Sequence, residues 1–209
     1  MYAVCFSFAY IDLDTGTGAL ILFGAVQLTM ILMSVLSGNR LSLYEVLGFL
    51  VAFLGFIYLI LPSISTPSVM GFILMIVAGI SWAGYSLIGR GSVNPLLDTA
   101  SNFIRTLPLV VLLFLFSMTD IQLSLDGFLL AVMSGAVASG IGYAIWYREL
   151  QGLLDSQAAV VQLLVPVLAA VGGVLFSNEE ISLRLVIAAI LVLGGVTVVI
   201  FGKKTVLKP

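Results

Sequence analysis

Charge is what this chain has least of. Lys, Arg, Asp and Glu together make up 9% of its 209 residues, eight basic and ten acidic. An ordinary soluble domain of this length carries roughly 52 such residues, about a quarter of the chain. Hydrophobic residues reach 61% and mean hydropathy is +1.25. A water-facing exterior has no room for that much apolar material, so a soluble enzyme is excluded. Histidine is absent, which removes imidazole as metal ligand, proton relay or general base. A single cysteine, Cys5, allows no internal disulfide and no thiolate cluster. The only Gly-Lys pair, Gly202-Lys203, is followed by Lys204 and has no upstream glycine at P-loop spacing, so no Walker-type nucleotide site exists here. No catalytic residue, metal or cofactor is expected, and no nucleic-acid partner.

What the chain does have is long uncharged runs spread along its whole length, which neither a signal peptide nor one anchor accounts for. A helix needs about 20 mostly apolar residues to cross the hydrocarbon core. The runs predict seven spans, at 16–37, 42–61, 69–89, 100–118, 126–147, 154–176 and 182–201. Between the second and third, Pro62-Ser-Ile-Ser-Thr-Pro67 breaks the run. Met1 to Ile11 is apolar but half the necessary length. The expected fold is an all-α polytopic membrane protein, embedded in the lipid bilayer.

Basic residues of short loops collect on the cytoplasmic side. With Lys203, Lys204 and Lys208 inside, Arg40, Arg90, Arg105 and Arg148 also fall inside and only Arg184 falls outside. Asp12, Asp14, Asp120, Asp126, Glu179 and Glu180 fall mostly outside. The reading is a plasma-membrane protein with a cytoplasmic C-terminus.

The chain also resembles itself. A shift of 141 residues lays Tyr2-Ala3 on Tyr143-Ala144, Leu13-Asp14 on Leu154-Asp155 and Thr15 on Ser156. A shift of 140 lays Ser37 on Ser177, Ser42-Leu43 on Ser182-Leu183, Val46 on Val186 and Gly55 on Gly195. The repeat unit holds five helices, an odd number, so its copies must insert in opposite directions. Arg40, inside, then aligns with Glu180, outside. Inverted repeats of this kind build secondary transporters, with the binding site between the repeats near mid-membrane. The division predicted is 1–68 for the remainder of a first repeat, about two and a half helices, and 69–209 for a complete second one. On this reading the first copy would begin roughly 70 residues before Met1, and Met1 to Ile11 would be the back half of a helix. The chain then looks N-terminally truncated, with an incomplete first copy.

Phe6-Ser-Phe-Ala-Tyr10, Thr15-Gly-Thr-Gly-Ala-Leu20 and Val26-Gln27-Leu28 resemble the fourth-helix region of the EamA family of the drug/metabolite transporter superfamily. Ser139-Gly-Ile-Gly-Tyr-Ala-Ile-Trp-Tyr147, Gln157-Ala-Ala-Val-Val-Gln162-Leu-Leu-Val-Pro166 and Gly172-Gly173 look like its eighth and ninth helices, and Ser81-Trp82-Ala83-Gly84-Tyr85-Ser86 is similar to its sixth. The resemblance implies a ten-helix plan of two inverted repeats, both termini cytoplasmic, carrying amino acids, metabolites, nucleotide sugars or drugs through a central cavity. This sequence lacks what would be the first two helices and part of the third, which places a non-transporting membrane fragment or scaffold beside the transporter reading. Self-association stays open, and the small-molecule substrate is not named by the sequence.

Six residues are candidates for substrate binding: Gln27, Trp82, Tyr85, Tyr143, Gln162 and Pro166. Gln162 and Pro166 lie four apart, on one helix face, and Pro166 frees a carbonyl close to Gln162. They either line a cavity or glue helices together. Gln27 poses the same choice. Trp82 lies about seven residues inside its span, deeper than an interfacial belt position, with Tyr85 beside it. Tyr143 is one turn deeper than Trp146 and Tyr147, which read as belt residues. Arg105 either snorkels to the interface or marks a vestibule for anions. Gly48, Ala52, Gly55, Ala131, Gly135, Ser139, Gly172, Gly173, Gly194 and Gly195 read as helix-packing positions.

Overall fold

The structure, a computed structural model, describes residues 1–39, 41–61, 66–117, 124–177 and 181–206. Within the polar break residues 62–65 lie outside the described residues, as do Arg40, Asp120, Glu179, Glu180 and Lys208. The described residues are helical apart from short connections, and contain no strand. Among the described residues seven helices are long and apolar enough to cross a membrane: Thr15–Leu36, Leu43–Ile60, Val69–Gly89, Pro95–Phe116, Leu125–Leu150, Asp155–Leu175 and Leu183–Phe201. Each sits on one of the seven expected spans. Before them Tyr2–Asp12 forms a shorter apolar helix. This is a multi-pass membrane protein.

We label the helices α1 (Tyr2–Asp12), α2 (Thr15–Leu36), α3 (Leu43–Ile60), α4 (Val69–Gly89) and α5 (Pro95–Ser117). The sixth long helix is composite: α6 (Leu125–Val132), a π-helical segment (Met133–Ile141) and α7 (Gly142–Leu150). The seventh is broken into α8 (Asp155–Val161) and α9 (Leu164–Ser177), and α10 (Leu183–Val206) follows.

Helix starts follow local chemistry. Glu45 N–H donates to Ser42 Oγ at 3.2 Å while Ser42 N–H donates to Glu45 Oε2 at 2.8 Å, a reciprocal capping box that starts α3. Ser182 caps α10 through Leu185 N–H at 3.1 Å. α5 begins five residues ahead of the expected span, because Asn94 Oδ1 accepts from Leu97 N–H at 3.1 Å and Pro95 supplies a preset first helical residue. Arg105 therefore stands about 15 Å along its helix at 1.5 Å per residue, exposed on its unit's surface.

The chain forms two compact units. One comprises residues 1–85 and 154–209, the other 86–153. In the first, α3 and α10 pack along their length. A Cβ placed on Gly48 would stand 2.6 Å from Gly195 O, and one on Gly195 would stand 2.6 Å from Ala52 N. One on Gly55 would meet Leu191 Cβ at 2.6 Å and Ala188 O at 3.2 Å. These backbones touch because no side chain stands between them, the condition under which dispersion can hold helices together in lipid. Phe56, Val160, Leu163, Val192 and Val199 close the core over this contact, joining α3, α8 and α10. A second cluster binds α1, α2 and α4 through Cys5, Ala9, Leu22, Met75 and Ala78.

In the second unit, α7 holds the end of α4 and the start of α5. Tyr147 is 3% exposed and packs on Gly89. Its hydroxyl accepts from Asn102 Nδ2 at 3.5 Å, and Trp146 Nε1–H donates to Ser86 Oγ at 3.1 Å. The belt reading of Tyr147 is therefore corrected: its ring is buried within the unit, where the bare surface of Gly89 makes room for it, while Trp146 is half-buried and tied to Ser86.

Replacing Gly195 by Val is expected to cost about 2 kcal/mol or more through overpacking, lowering the unfolding midpoint measured in detergent. Gly194→Ala is the matched control. A Cβ there meets nothing within 4 Å, and the midpoint should hold or rise.

Candidate functional site

Hydrocarbon offers a backbone no hydrogen-bond partner, so a broken helix inside a bilayer must answer its released carbonyls from within the protein. The break between α8 and α9 does so with the two candidate glutamines. Pro166 has no N–H for Gln162 O, four residues earlier. Val165 N–H takes that carbonyl instead at 3.1 Å, and the preceding turn tightens in the same way: Leu163 N–H goes to Val160 O at 3.0 Å and Gln162 N–H to Ala159 O at 3.2 Å. Regular α-helical bonding would have sent those two N–H groups to Ala159 O and Ala158 O. The shift leaves Ala158 O without its backbone donor, while Ala159 O exchanges Leu163 N–H for Gln162 N–H, and side-chain amides reach both carbonyls. Gln162 Nε2 donates to Ala158 O at 3.2 Å, and Gln27 Nε2, reaching across from α2, donates to Ala159 O at 2.6 Å.

The rest of the cluster grows from these amides. Gln162 Nε2 also meets Met30 Sδ at 3.2 Å, one turn along α2 from Gln27. Gln162 Oε1 accepts the indole N–H of Trp82 from α4. Trp82 stacks on Tyr85, with centroids 5.4 Å apart and planes at 24°, and its ring also lies 5.0 Å from that of Tyr2 of α1. Gln27 is 0% exposed and Gln162 is 4% exposed. Gln27 Oε1 is buried without a hydrogen-bond partner among the described residues. Five of the six candidates, Gln27, Trp82, Tyr85, Gln162 and Pro166, thus belong to one unit, and four of them share the network around the break. Tyr143 belongs to the other unit, where its ring lies 6.0 Å from that of Phe103.

One carboxylate escapes a search for charge at span centres. Glu45 is 2% exposed, and its Oε1 accepts from the hydroxyl of Ser156, one turn before Ala159 and Val160 on α8. The readable signal is Ser42-Leu-Tyr-Glu45, which has capping-box spacing. It ties the start of α3 to the start of α8.

Residues 69–201 match the model of the EamA-like transporter family. The chain belongs to that family. A Pseudomonas aeruginosa protein is 47% identical over 200 residues, spanning 96% of this chain and 70% of its own length. An Escherichia coli protein named as a probable amino-acid metabolite efflux pump is 23% identical over 216 residues, across 96% of this chain and 72% of its own. An Archaeoglobus fulgidus protein named only as a transporter is 26% identical over 208 residues, covering 96% and 73%. A protein of known crystal structure superposes with a TM-score of 0.83 at 20% identity, over 99% of this chain and 74% of that one, and it shares the fold. The EamA-like assignment makes this a membrane transporter of the drug/metabolite class, as the sequence resemblance implied.

Gln162→Leu removes the acceptor of the Trp82 indole and the cap of Ala158 together. In a Trp146→Phe background, where Trp82 is the one remaining tryptophan, its emission should shift to the blue. The unfolding midpoint should fall by the equivalent of about 1–3 kcal/mol.

Proposed function

We propose that this EamA-like chain moves small metabolites, amino acids and their derivatives first among them, across the plasma membrane by alternating access, and that it catalyses no chemical reaction. The observation that carries the reading is the Trp82–Gln162 hydrogen bond at the helix break. It links α4 to α8 and, through Met30, to α2, and discontinuous helices near the repeat interface are where secondary transporters place their substrates. The substrate class takes its support from the efflux-pump names of the Escherichia coli relative and of a Salmonella typhimurium relative, 24% identical over 216 residues. In this reading Trp82 and Tyr85 offer aromatic surface, Gln27 and Gln162 offer amide groups and Pro166 keeps the helix open, while Tyr143 is a substrate candidate within its own unit. The C-terminus is cytoplasmic, on the strength of Lys203, Lys204 and Lys208.

The α3–α10 contact supports the division into 1–68 and 69–209 as two inverted repeats. Moving each partner by 140 positions turns the pair Gly48–Gly195 into Ala188–Gly55, which is also in contact. The same shift carries Ala52 to Val192, and both lie in one buried cluster. Such a self-matching contact is what a two-fold pseudo-axis between the fifth helices of two repeats would produce.

The test is export from cells expressing the chain and loaded with labelled amino acids. Trp82→Ala and Gln162→Ala should each lower initial efflux about tenfold, the effect of losing roughly 1.4 kcal/mol of buried hydrogen bonding. Efflux equal to that of cells lacking the chain would favour the scaffold reading.

A further inference from the structure

Of the chain's eight basic and ten acidic residues, all but one stand in the first or last turn of a helix or in a connection. Arg105 is the exception. It lies about 15 Å from Pro95 and about 18 Å from Ser117 at 1.5 Å per residue, close to the middle of α5. Charges at the middle of a membrane helix are costly, and those that persist pair with an opposite charge or mark the route of an ion or a substrate. Arg105 has no such pair in the chain. Its side chain is exposed, and among the described residues it makes neither a hydrogen bond nor an ion pair. All ten acidic residues stand at helix ends or in connections, so none answers it from a span centre. Asp98 is the acid on its own helix. It lies seven positions earlier, about 10 Å along the axis, and its Oδ2 accepts from Ser92 Oγ at 2.6 Å.

The approach to Arg105 is polar on one side. Asp98, Ser101, Asn102 and Arg105 fall at i, i+3, i+4 and i+7, which is a single helix face. Ser101 and Asn102 are half-buried, and Asn102 Nδ2 is held by the Tyr147 hydroxyl at 3.5 Å. Beyond Arg105 the same face turns apolar, with Pro108, Leu109 and Leu112. The stripe thus begins at the start of α5 and ends on an unpaired guanidinium. That group dictates the chemistry of what answers it: a planar fork of N–H donors matches the paired oxygens of a carboxylate or a phosphate.

We propose that Arg105 binds an oxyanion, a carboxylate or phosphate group that reaches it along this stripe from the start of α5. Two sources present that chemistry, the acid group of a small solute and the phosphate of an anionic lipid. The site lies within the 86–153 unit, apart from the α8–α9 break, and does not rest on the transport reading.

The test is the unfolding midpoint of the whole chain in an uncharged detergent, titrated with one probe for each source. Sodium butyrate is compared with butyramide at matched ionic strength, and phosphatidylglycerol with phosphatidylcholine. At least one anion should raise the midpoint where its neutral or zwitterionic counterpart does not. A rise with butyrate alone assigns the oxyanion to a solute, and a rise with phosphatidylglycerol alone assigns it to a lipid. Arg105→Gln should weaken the effective anion about tenfold or more, the loss expected of charge-assisted hydrogen bonds. Arg105→Lys, which keeps the charge without the fork, should fall between. Without added anion, the midpoint of Arg105→Gln should hold or rise, because no group of the protein loses a partner. The site is overturned if neither anion outdoes its counterpart, or if the rise survives in Arg105→Gln. A marked fall of the anion-free midpoint in Arg105→Gln would also overturn it, since the guanidinium would then be answered by the protein itself.

Discussion

A backbone carbonyl in hydrocarbon has nowhere to turn but the protein itself, and the α8–α9 break is where this chain meets that constraint most directly. Pro166 sets the break by withholding one N–H. The tightened turn before it then shifts two more N–H groups forward by one residue. The shift releases Ala158 O, which the Gln162 amide takes, and leaves Ala159 O with Gln162 N–H, to which the Gln27 amide adds a second donor. Because the second of those amides comes from α2, it ties α2 to the break. Because the other also accepts from Trp82, the break fixes α4 as well. Three helices are thus registered by two glutamines, which explains why amides that cost free energy to bury are found at 0% and 4% exposure.

That registration needs a frame, which α3 and α10 supply. Glycines at 48, 55 and 195 let two backbones touch, and Val160 of α8 and Leu163 of the break pack over the pair. Glu45 adds a polar tie at the same place, bonded at once to its own helix start and to Ser156 of α8. The carboxylate is held by a cap and a hydroxyl, where helix-end dipoles favour its charge. A frame joined by dispersion and tied by hydrogen bonds presents α8 to α2 at a fixed height, and Gln27 meets Ala159 as a consequence.

Much of this was legible in the sequence because hydrophobic length dominates it. The spans read from uncharged runs fall on the helices observed, since about 20 apolar residues have few alternatives in a bilayer. Starts were harder. Asn94-Pro95 is a cap and first-turn signal outside the apolar run, so a hydropathy reading begins α5 too late. The π segment left no trace in composition, because Gly and Ala in a span read alike in α and π geometry. At the candidate site, the spacing of Gln162 and Pro166 did announce a polar, opened turn. The choice between lining and glue could not be made from spacing, because it depends on which carbonyls the turn releases and which side chain from another helix reaches them. Glu45 was missed for a related reason: a search for charge in mid-span passes over a carboxylate buried at a helix start by contact with a helix 111 positions away.

Small residues make the same point about partners. Gly48 and Gly195 on one side, and Gly135 and Gly140 on the other, are indistinguishable as sequence, each an apolar-helix glycine at helical spacing. In the first pair another backbone occupies the space that the missing side chains leave, and the result is the tightest contact between α3 and α10. Beside the second pair no side chain enters, and the result is an open apolar groove. A glycine therefore specifies only that space is available. Whether that space becomes a joint or a pocket is decided by the opposite helix: α10 brings Gly195 to Gly48 and closes it, whereas α5 brings Thr99 and Phe103 to the π segment and leaves it open. Positions that join helices and positions that leave a groove thus arise from one sequence habit, and the facing residues separate them.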